Sequence, residues 1–358
     1  RTGTPVRAPP GADRFPKTTC DGLPGRGRTG PSRAVRAEAA QAEGGFVPMI
    51  TYVSKRILLL IPVLLGVTFI IFTIMSFVPG DPGRMILGEN ATREAVELLN
   101  EKLGVNRPFF VRFCSYIYNA VVHFDLGTSY RTSKPVMNDV LARVRNSFMI
   151  SFNGILAATV LGVPLGILSA VRQYSAIDNM SRVSAMMAAA IPSFWFGMML
   201  IYVFASKWRV LPASGANSWK HFILPMITLG IPYAGSQLRM TRSAMLETIR
   251  ADYVRTARAK GVPQAVVIFR HALRNALLPI VTTTATSFGG LLGGAVITET
   301  IFSIPGLGTL IVTSIRQRDT PTVLGATITL ALLFGIVMLM VDLFYAFVDP
   351  RIKAKYTR

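Results

Sequence analysis

The chain has 358 residues, of which 51% are hydrophobic and only 16% charged, against roughly 25% charged in a soluble domain. With a mean hydropathy of +0.45, too few charges remain to cover a water-facing surface; the net charge of +20 is therefore read as basic residues holding loops on the cytoplasmic side of a bilayer, not as a nucleic-acid footprint. Cys20 and Cys114 form no CxxC and His123, His221 and His271 are scattered, which excludes a disulfide framework and a thiolate or histidine metal site.

Residues 1–48 stand apart, with seven prolines, eight glycines, eight Lys or Arg and no long apolar run. Such a segment buries too little apolar surface to offset chain entropy and is expected to be disordered. Met49 is the first methionine, so 1–48 reads as a non-native extension; no apolar core of the signal-peptide kind precedes it. Gly11 to Thr18 falls short of a phosphate-binding loop, because Pro16 replaces the second glycine and supplies no N–H.

From Met49 onward six stretches are long enough to cross ~30 Å of hydrocarbon as helices: about 57–77, 147–170, 183–206, 222–238, 277–298 and 323–347. The fourth is short and carries Pro225 and Pro232. Pro62, Pro164 and Pro192 are expected to be tolerated inside their spans, where neighbouring helices re-satisfy the freed carbonyls. The expected fold is an all-α polytopic membrane protein with six transmembrane helices.

Lys and Arg number eight in 239–275, two in 171–182, four in the last eight residues and two at Lys55–Arg56; the opposite connections hold three and two. The bias places both termini and the 239–275 loop in the cytoplasm and the 79–146 loop outside. Within 79–146, Ala95, Leu98, Leu99 and Leu103 recur at helical spacing between Thr92 as N-cap and Gly104 as terminator.

The segment 251–280, ADYVRTARAKGVPQAVVIFRHALRNALLPI, reads as two helices broken at Gly261–Val262–Pro263. Small Ala257 and Ala259 beside Arg255, Arg258 and Lys260 suit either close approach of another protein or rest on anionic headgroups. This segment resembles the cytoplasmic EAA loop of ABC-type importer permeases. Aligned on Gly261, Ala257 and Leu273 match that pattern, while Arg255, Thr256, His271 and Arg274 depart from it as in the dipeptide/oligopeptide/nickel branch. VPGDP at 78–82, LGVNRP at 103–108, DLGTSYRTSKPV at 125–136 and ETIFSIPGLG at 299–308 resemble the same branch, in its "B"-type subunit with a long first outer loop.

The resemblance implies a type I-like importer permease in the cell membrane. It would form a heterodimer with a second homologous permease and work with two cytoplasmic ABC ATPases and an extracytoplasmic solute-binding lipoprotein. ATP and Mg would then sit on the ATPases, with no cofactor, metal or catalytic residue on this chain, which carries no Walker A sequence. ATPase coupling is assigned by that resemblance to Ala257, Gly261 and Leu273, with Asp252, Arg255 and Arg258 as docking contacts. The cargo would be a dipeptide, an oligopeptide or a related small solute such as a nickel chelate.

The fifth span is polar, with Thr282, Thr283, Thr284, Thr286 and Ser287 ahead of Gly289, Gly290, Gly293 and Gly294. Thr283, Thr284, Thr286, Ser287 and Glu299 are candidates for the translocation path; the alternative is that the threonines bond their own i−4 carbonyls and the glycines only pack. Asp342 is expected to pair with a nearby basic residue, and Asn153 and Gln237 are weaker path candidates. Met186, Met187, Met198 and Met199 read as packing, since no Cys or His accompanies them. The rival function is an ATP-independent channel or secondary transporter, for which an inverted repeat is the expected sign and none is evident.

Overall fold

A computed structural model describes residues 49–348 except Pro79 and Glu89, and the side chains of 54–343 among them; the segment 1–48 and the end of the tail lie outside the described residues. Among these residues all regular structure is helical, apart from one isolated bridge between Thr128 and Pro135. The all-α expectation holds.

Helix α1 (Met49–Phe77) is the most lipid-like element, with only 11% of its apolar stretch buried inside the chain. Short helices α2 (Pro82–Leu87), α3 (Arg93–Leu103) and α4 (Phe109–Val122) follow. As expected, the Thr92 hydroxyl accepts from Ala95 N–H to start α3, and Gly104, at φ +68°, ends it. Phe69 and Phe72 of α1 meet Phe109 and Phe113 of α4 edge-on, which fixes α4 against the C-terminal part of α1.

Helix α5 (Val136–Val171) has 36 residues, about 54 Å at 1.5 Å per residue. It therefore outruns the hydrocarbon and begins eleven residues before the expected span. That first part holds Asp139, Arg143 and Arg145, side chains that belong outside the hydrocarbon.

The third expected span is not one helix. Helix α6 (Ala176–Ala190) and helix α7 (Ser193–Lys207) meet at 98°. Pro192 opens α7, and Ile191 before it is extended at φ −75°, ψ 124°, the conformation that a following proline imposes. Here proline breaks the span; Pro62, Pro164, Pro232 and Pro279 instead lie within helices.

Helix α8 (Ile223–Ile249) continues past the expected end at 238, and α10 (Gln264–Ile301), with a π-helical stretch at Val267–Leu273, starts well before 277. The expected loop 239–275 is thus largely helical, and only α9 (Asp252–Ala259) and its turns lie between α8 and α10. Helix α11 (Leu307–Arg316) and helix α12 (Thr320–Val348) complete the chain.

Four helices (α1, α5, α10, α12) are long and apolar enough to cross a membrane, and α6–α7 is a fifth if counted as one span. Helix α8 is long enough but is not among them, because it carries Gln237, Arg239 and Arg242. It packs most extensively against α5. The contact is close: a Cβ on Gly162 would lie 2.6 Å from the Ala234 carbonyl, and one on Gly166 2.8 Å from that of Leu238. With Gly154 and Ala158 these form a stripe at every fourth residue, the small-residue pattern that lets membrane helices touch backbone to backbone. The Gly289–Gly294 cluster does less than its spacing promised. Gly289 meets Phe334 and Met338 of α12 and Gly290 meets Tyr233, whereas Gly293 and Gly294 face open space.

Candidate functional site

Helix α9 is a single charged rung between two long helices. Their three-residue spacing on the helix turns Val254 and Ala257 inward together, where they pack with Val262 and Val267. Its end is a Schellman closure: Gly261 N–H donates to the Arg258 carbonyl (3.0 Å) and Val262 N–H to that of Ala257 (3.3 Å). Gly261 has φ +75° with open space around its Cα, so the glycine answers to backbone conformation and not to crowding. Asp252, Tyr253, Arg255, Thr256, Arg258 and Ala259 remain exposed. The Arg255–Asp252 pair, at 3.9 Å and well exposed, is too loose to order this face.

Two expected coupling residues sit elsewhere. Ala257 is only 7% exposed; it is small because Val254 and Val267 close over it, so its side chain offers nothing to an outside surface. Leu273, at the end of the π-helical stretch, packs at the foot of the loop against a cluster that includes Ala170, Ala244, Met245, Ile268, Ala272 and Ala276. The face that α9 presents is therefore polar, carried by Asp252, Arg255 and Arg258.

An ion pair absent from the sequence reading braces this region. Asp178 is fully buried and receives Arg242 in a fork, Nε to Oδ1 at 2.7 Å and an amino group to Oδ2 at 2.9 Å. The Ser169 hydroxyl donates to Oδ1 at 2.6 Å and Tyr174 N–H to Oδ2 at 2.9 Å. One carboxylate thus joins α5, the turn after it, α6 and α8. The signal was present as Ser175-x-x-Asp178, an N-cap pattern in which Ser175 accepts from Asp178 N–H.

In α10 the threonines satisfy themselves. Thr282, Thr283, Thr284 and Thr286 each donate to the carbonyl four residues back, at 2.8 to 3.0 Å. Thr284 also lies 3.1 Å from the Gln237 side-chain oxygen, whose amide nitrogen is buried without a partner. Thr286 is exposed, and Thr283 and Ser287 are half-buried. These three remain available on one side of α10, while Thr284 is turned toward α8.

Glu299 is not on that side. It is 1% exposed, and its carboxylate lies at the start of α11: Ser147 of α5 donates to Oε1 (2.6 Å) and Thr309 N–H to Oε2 (3.0 Å). Leu307 N–H in turn donates to Ser147 (2.7 Å). A negative group there meets the unpaired N–H groups and positive dipole end of α11. A Cβ on Gly306 would collide with the carboxyl, and one on Gly308 would lie 2.8 Å from Oε2. The glycines of the SIPGLG stretch (303–308) therefore make room for Glu299. Asp342, as expected, pairs with a basic residue, Arg56 of α1, at 3.0 Å.

Asp319 is a third buried carboxylate, and it too escaped the sequence reading. It accepts from the Ser129 and Thr322 hydroxyls and from Tyr130 N–H, tying the 125–131 stretch to the start of α12. Among the described residues no group of three or more His, Cys, Asp or Glu side chains stands close enough to share a metal ion.

This arrangement of helices is shared with a known class of transporter subunit. A chain from a structure of inward-facing conformations of the MetNI methionine ABC transporter matches with a TM-score of 0.52 at 19% identity, covering 61% of this chain and all of that one. The fold is that of an ABC importer permease. The family model for binding-protein-dependent transport system inner membrane components matches residues 162–354, and the model for the N-terminal region of such components matches 49–151; the chain belongs to this family. Among its relatives are the dipeptide transport system permease protein DppB of Alkalihalophilus pseudofirmus, 40% identical over 85% of this chain and all of the relative. The glutathione transport system permease protein GsiC of Escherichia coli K12 is 38% identical over 86% of this chain and all of the relative. The resemblance drawn from the EAA-type loop and the outer landmarks is thereby borne out.

Proposed function

We propose that this chain is one of two permease subunits of an ATP-driven importer of short peptides or peptide-like solutes, received from an extracytoplasmic binding protein. A second, homologous permease completes the path, and two ATPases that bind ATP and Mg dock on the cytoplasmic side. The observation that carries the reading is α9: a short helix with a fully exposed face of Asp252, Arg255 and Arg258, mounted on a buried base. The face gives an ATPase charged groups to grip. The base, through Val254, Ala257 and Val267 and then the Asp178–Arg242 pair, carries a push on α9 into α8, α6 and α5 as one body. Thr283, Thr286 and Ser287 supply hydroxyls to the path without selecting a side chain. The two relatives named for dipeptide and glutathione support the cargo class.

The orientation follows the Lys/Arg bias: α9 and both termini inside, α2–α4 outside. The test is cargo-stimulated ATP hydrolysis by the whole complex in vesicles. With Arg255→Glu/Arg258→Glu, the complex should insert normally and lose stimulation by binding protein and peptide. Undiminished stimulation would remove α9 from the coupling role.

A further inference from the structure

Helix α4 (Phe109–Val122) is apolar but has only 14 residues, about 21 Å of helix, too short to cross a membrane. Its contacts give it another place. Phe72 of α1 meets Phe109, Phe113 and Tyr116 at once, with ring centroids 5.3, 5.5 and 6.2 Å apart, and the Arg112 guanidinium lies 5.6 Å from the same ring. Phe69 likewise meets both Phe109 and Phe113. Positions 109 to 116 cover about 10 Å of helix axis. A helix running along α1 would leave Phe72 behind over that distance, so α4 crosses α1.

The crossing has a definite depth. Phe72 and Phe69 stand five and eight residues before Phe77, the last residue of the apolar stretch of α1, hence about 8 and 12 Å below its end. A helix lying in the membrane interface sinks its apolar face to a similar depth, about 5–10 Å.

Around its axis α4 carries three stripes. Phe109, Phe113, Tyr116 and Ala120, at i, i+4, i+7 and i+11, face inward; the first three meet Phe72, and Ala120 packs on the cluster that includes Val136 and Val140 at the start of α5. Arg112, Ser115 and Asn119, at i, i+3 and i+7, form a narrow polar stripe. The remaining side is apolar and exposed, with Phe110 (70%), Cys114, Tyr118, Val121 (66%) and Val122. A helix facing water on all its outer surface would carry polar residues on both outer stripes. Phe69, one of the residues that hold α4, is itself 41% exposed and belongs with Ile70 and Ile74 to the lipid-facing surface of α1. Edge-on ring contacts run from Phe69 through Phe109 to Phe110, so the apolar side of α4 continues that surface.

We propose that α4 lies in the plane of the bilayer surface as an interfacial anchor whose exposed apolar face is covered by lipid. Phe110, Cys114, Val121 and Val122 sit among acyl chains, Tyr118 has an aromatic body for the chains and a hydroxyl for the headgroups, and Arg112, Ser115 and Asn119 turn to headgroups and water. The anchor sets the height of the segment between α1 and α5 against the membrane. This placement requires α1 to span the bilayer and holds for either direction of α1, with or without transport.

The native Cys114 serves as the probe. In the full chain with Cys20→Ser, reconstituted in phosphatidylcholine–phosphatidylglycerol vesicles, a nitroxide is attached to Cys114. Power-saturation electron spin resonance then compares its collisions with oxygen, which concentrates in hydrocarbon, and with chromium oxalate, which stays in water. The same measurement is made on Val122→Cys and Asn119→Cys, each in a chain that also carries Cys20→Ser and Cys114→Ser. Oxygen should dominate at positions 114 and 122 and chromium oxalate at 119, an inversion within one helix. Dominance of chromium oxalate at 114 or 122 would place that face in water and overturn the anchor. Few collisions with either reagent at those two positions would mean that protein covers the face, from a second permease or a binding protein, and would overturn it equally. Because a label can disturb its own site, positions 114 and 122 must agree for the proposal to stand.

Discussion

The two ends of this bundle neutralise buried carboxylates in different ways. At the end beside α6 Asp178 meets a guanidinium, with Ser169 and one N–H completing its shell. At the opposite end the bonds to Glu299 and Asp319 come from the Ser147, Ser129 and Thr322 hydroxyls and from the Thr309 and Tyr130 N–H groups. A full counter-charge makes the Asp178 lock strong and unforgiving, since either half alone is a bare charge. Hydroxyls and helix dipoles make the other two locks softer, and their worth depends on short helices staying in place.

Removing one partner should show the contrast at its largest. Asp178→Ala leaves Arg242 buried without its acid and should cost about 3–5 kcal/mol, read as loss of folded protein in the membrane. Asp178→Leu/Arg242→Met should recover most of that, because paired removal leaves no orphan charge. A double variant as unstable as the single one would mean that the pair acts through more than charge.

At the opposite end Glu299→Gln keeps an acceptor for Ser147 or for Thr309 N–H and should cost only about 1–3 kcal/mol, seen as a lower unfolding midpoint. Gly308→Ala, whose Cβ would lie 2.6 Å from the Val296 Cα, should destabilise by about 1–3 kcal/mol through overpacking at the same place. A cost there matching that of Asp178→Ala would erase the distinction.

Smaller still is Gly261→Val, which places a β-branched residue at φ +75° for roughly 1–2 kcal/mol; thermal unfolding should shift slightly while cargo-stimulated hydrolysis falls. The smallest effect on stability belongs to Arg255→Glu, on the exposed face of α9. Its midpoint should stay within about 0.5 kcal/mol of wild type, yet coupling should suffer.

How far the sequence could be read follows the range of each interaction. Local rules held where local physics decides: the Thr92 cap, the Gly104 and Gly261 terminators, and the helical nature of the chain. The break at Pro192 was misjudged because a proline inside an apolar run reads alike whether neighbours straighten the helix or the chain turns. Pro164, in the same kind of run, stays within α5. Size alone cannot say which way a small residue such as Ala257 faces; packing with Val254 and Val267 decides that. Glu299 is a path candidate from the sequence because intramembrane acids are usually functional, and only the fold brings Ser147 and the start of α11 to it. Asp178 and Arg242 lie 64 positions apart, so only tertiary structure shows them as one unit.

Helix α5 touches both kinds of lock. Ser169 reaches Asp178 at one end and Ser147 reaches Glu299 at the other, some 33 Å apart along the axis at 1.5 Å per residue. Pinned to α8 between them by its stripe of small residues, α5 is a lever whose fulcrum is the point where two backbones touch. A tilt of about 5° displaces one serine by roughly 3 Å relative to the other, as much as the whole length of either hydrogen bond. Such a lever cannot rock while keeping both serine contacts unless α6, or α10 with α11, travels with it. Motion at the Asp178 end would therefore reach the helices at the Glu299 end as a choice between two bonds, not as a gradual bend.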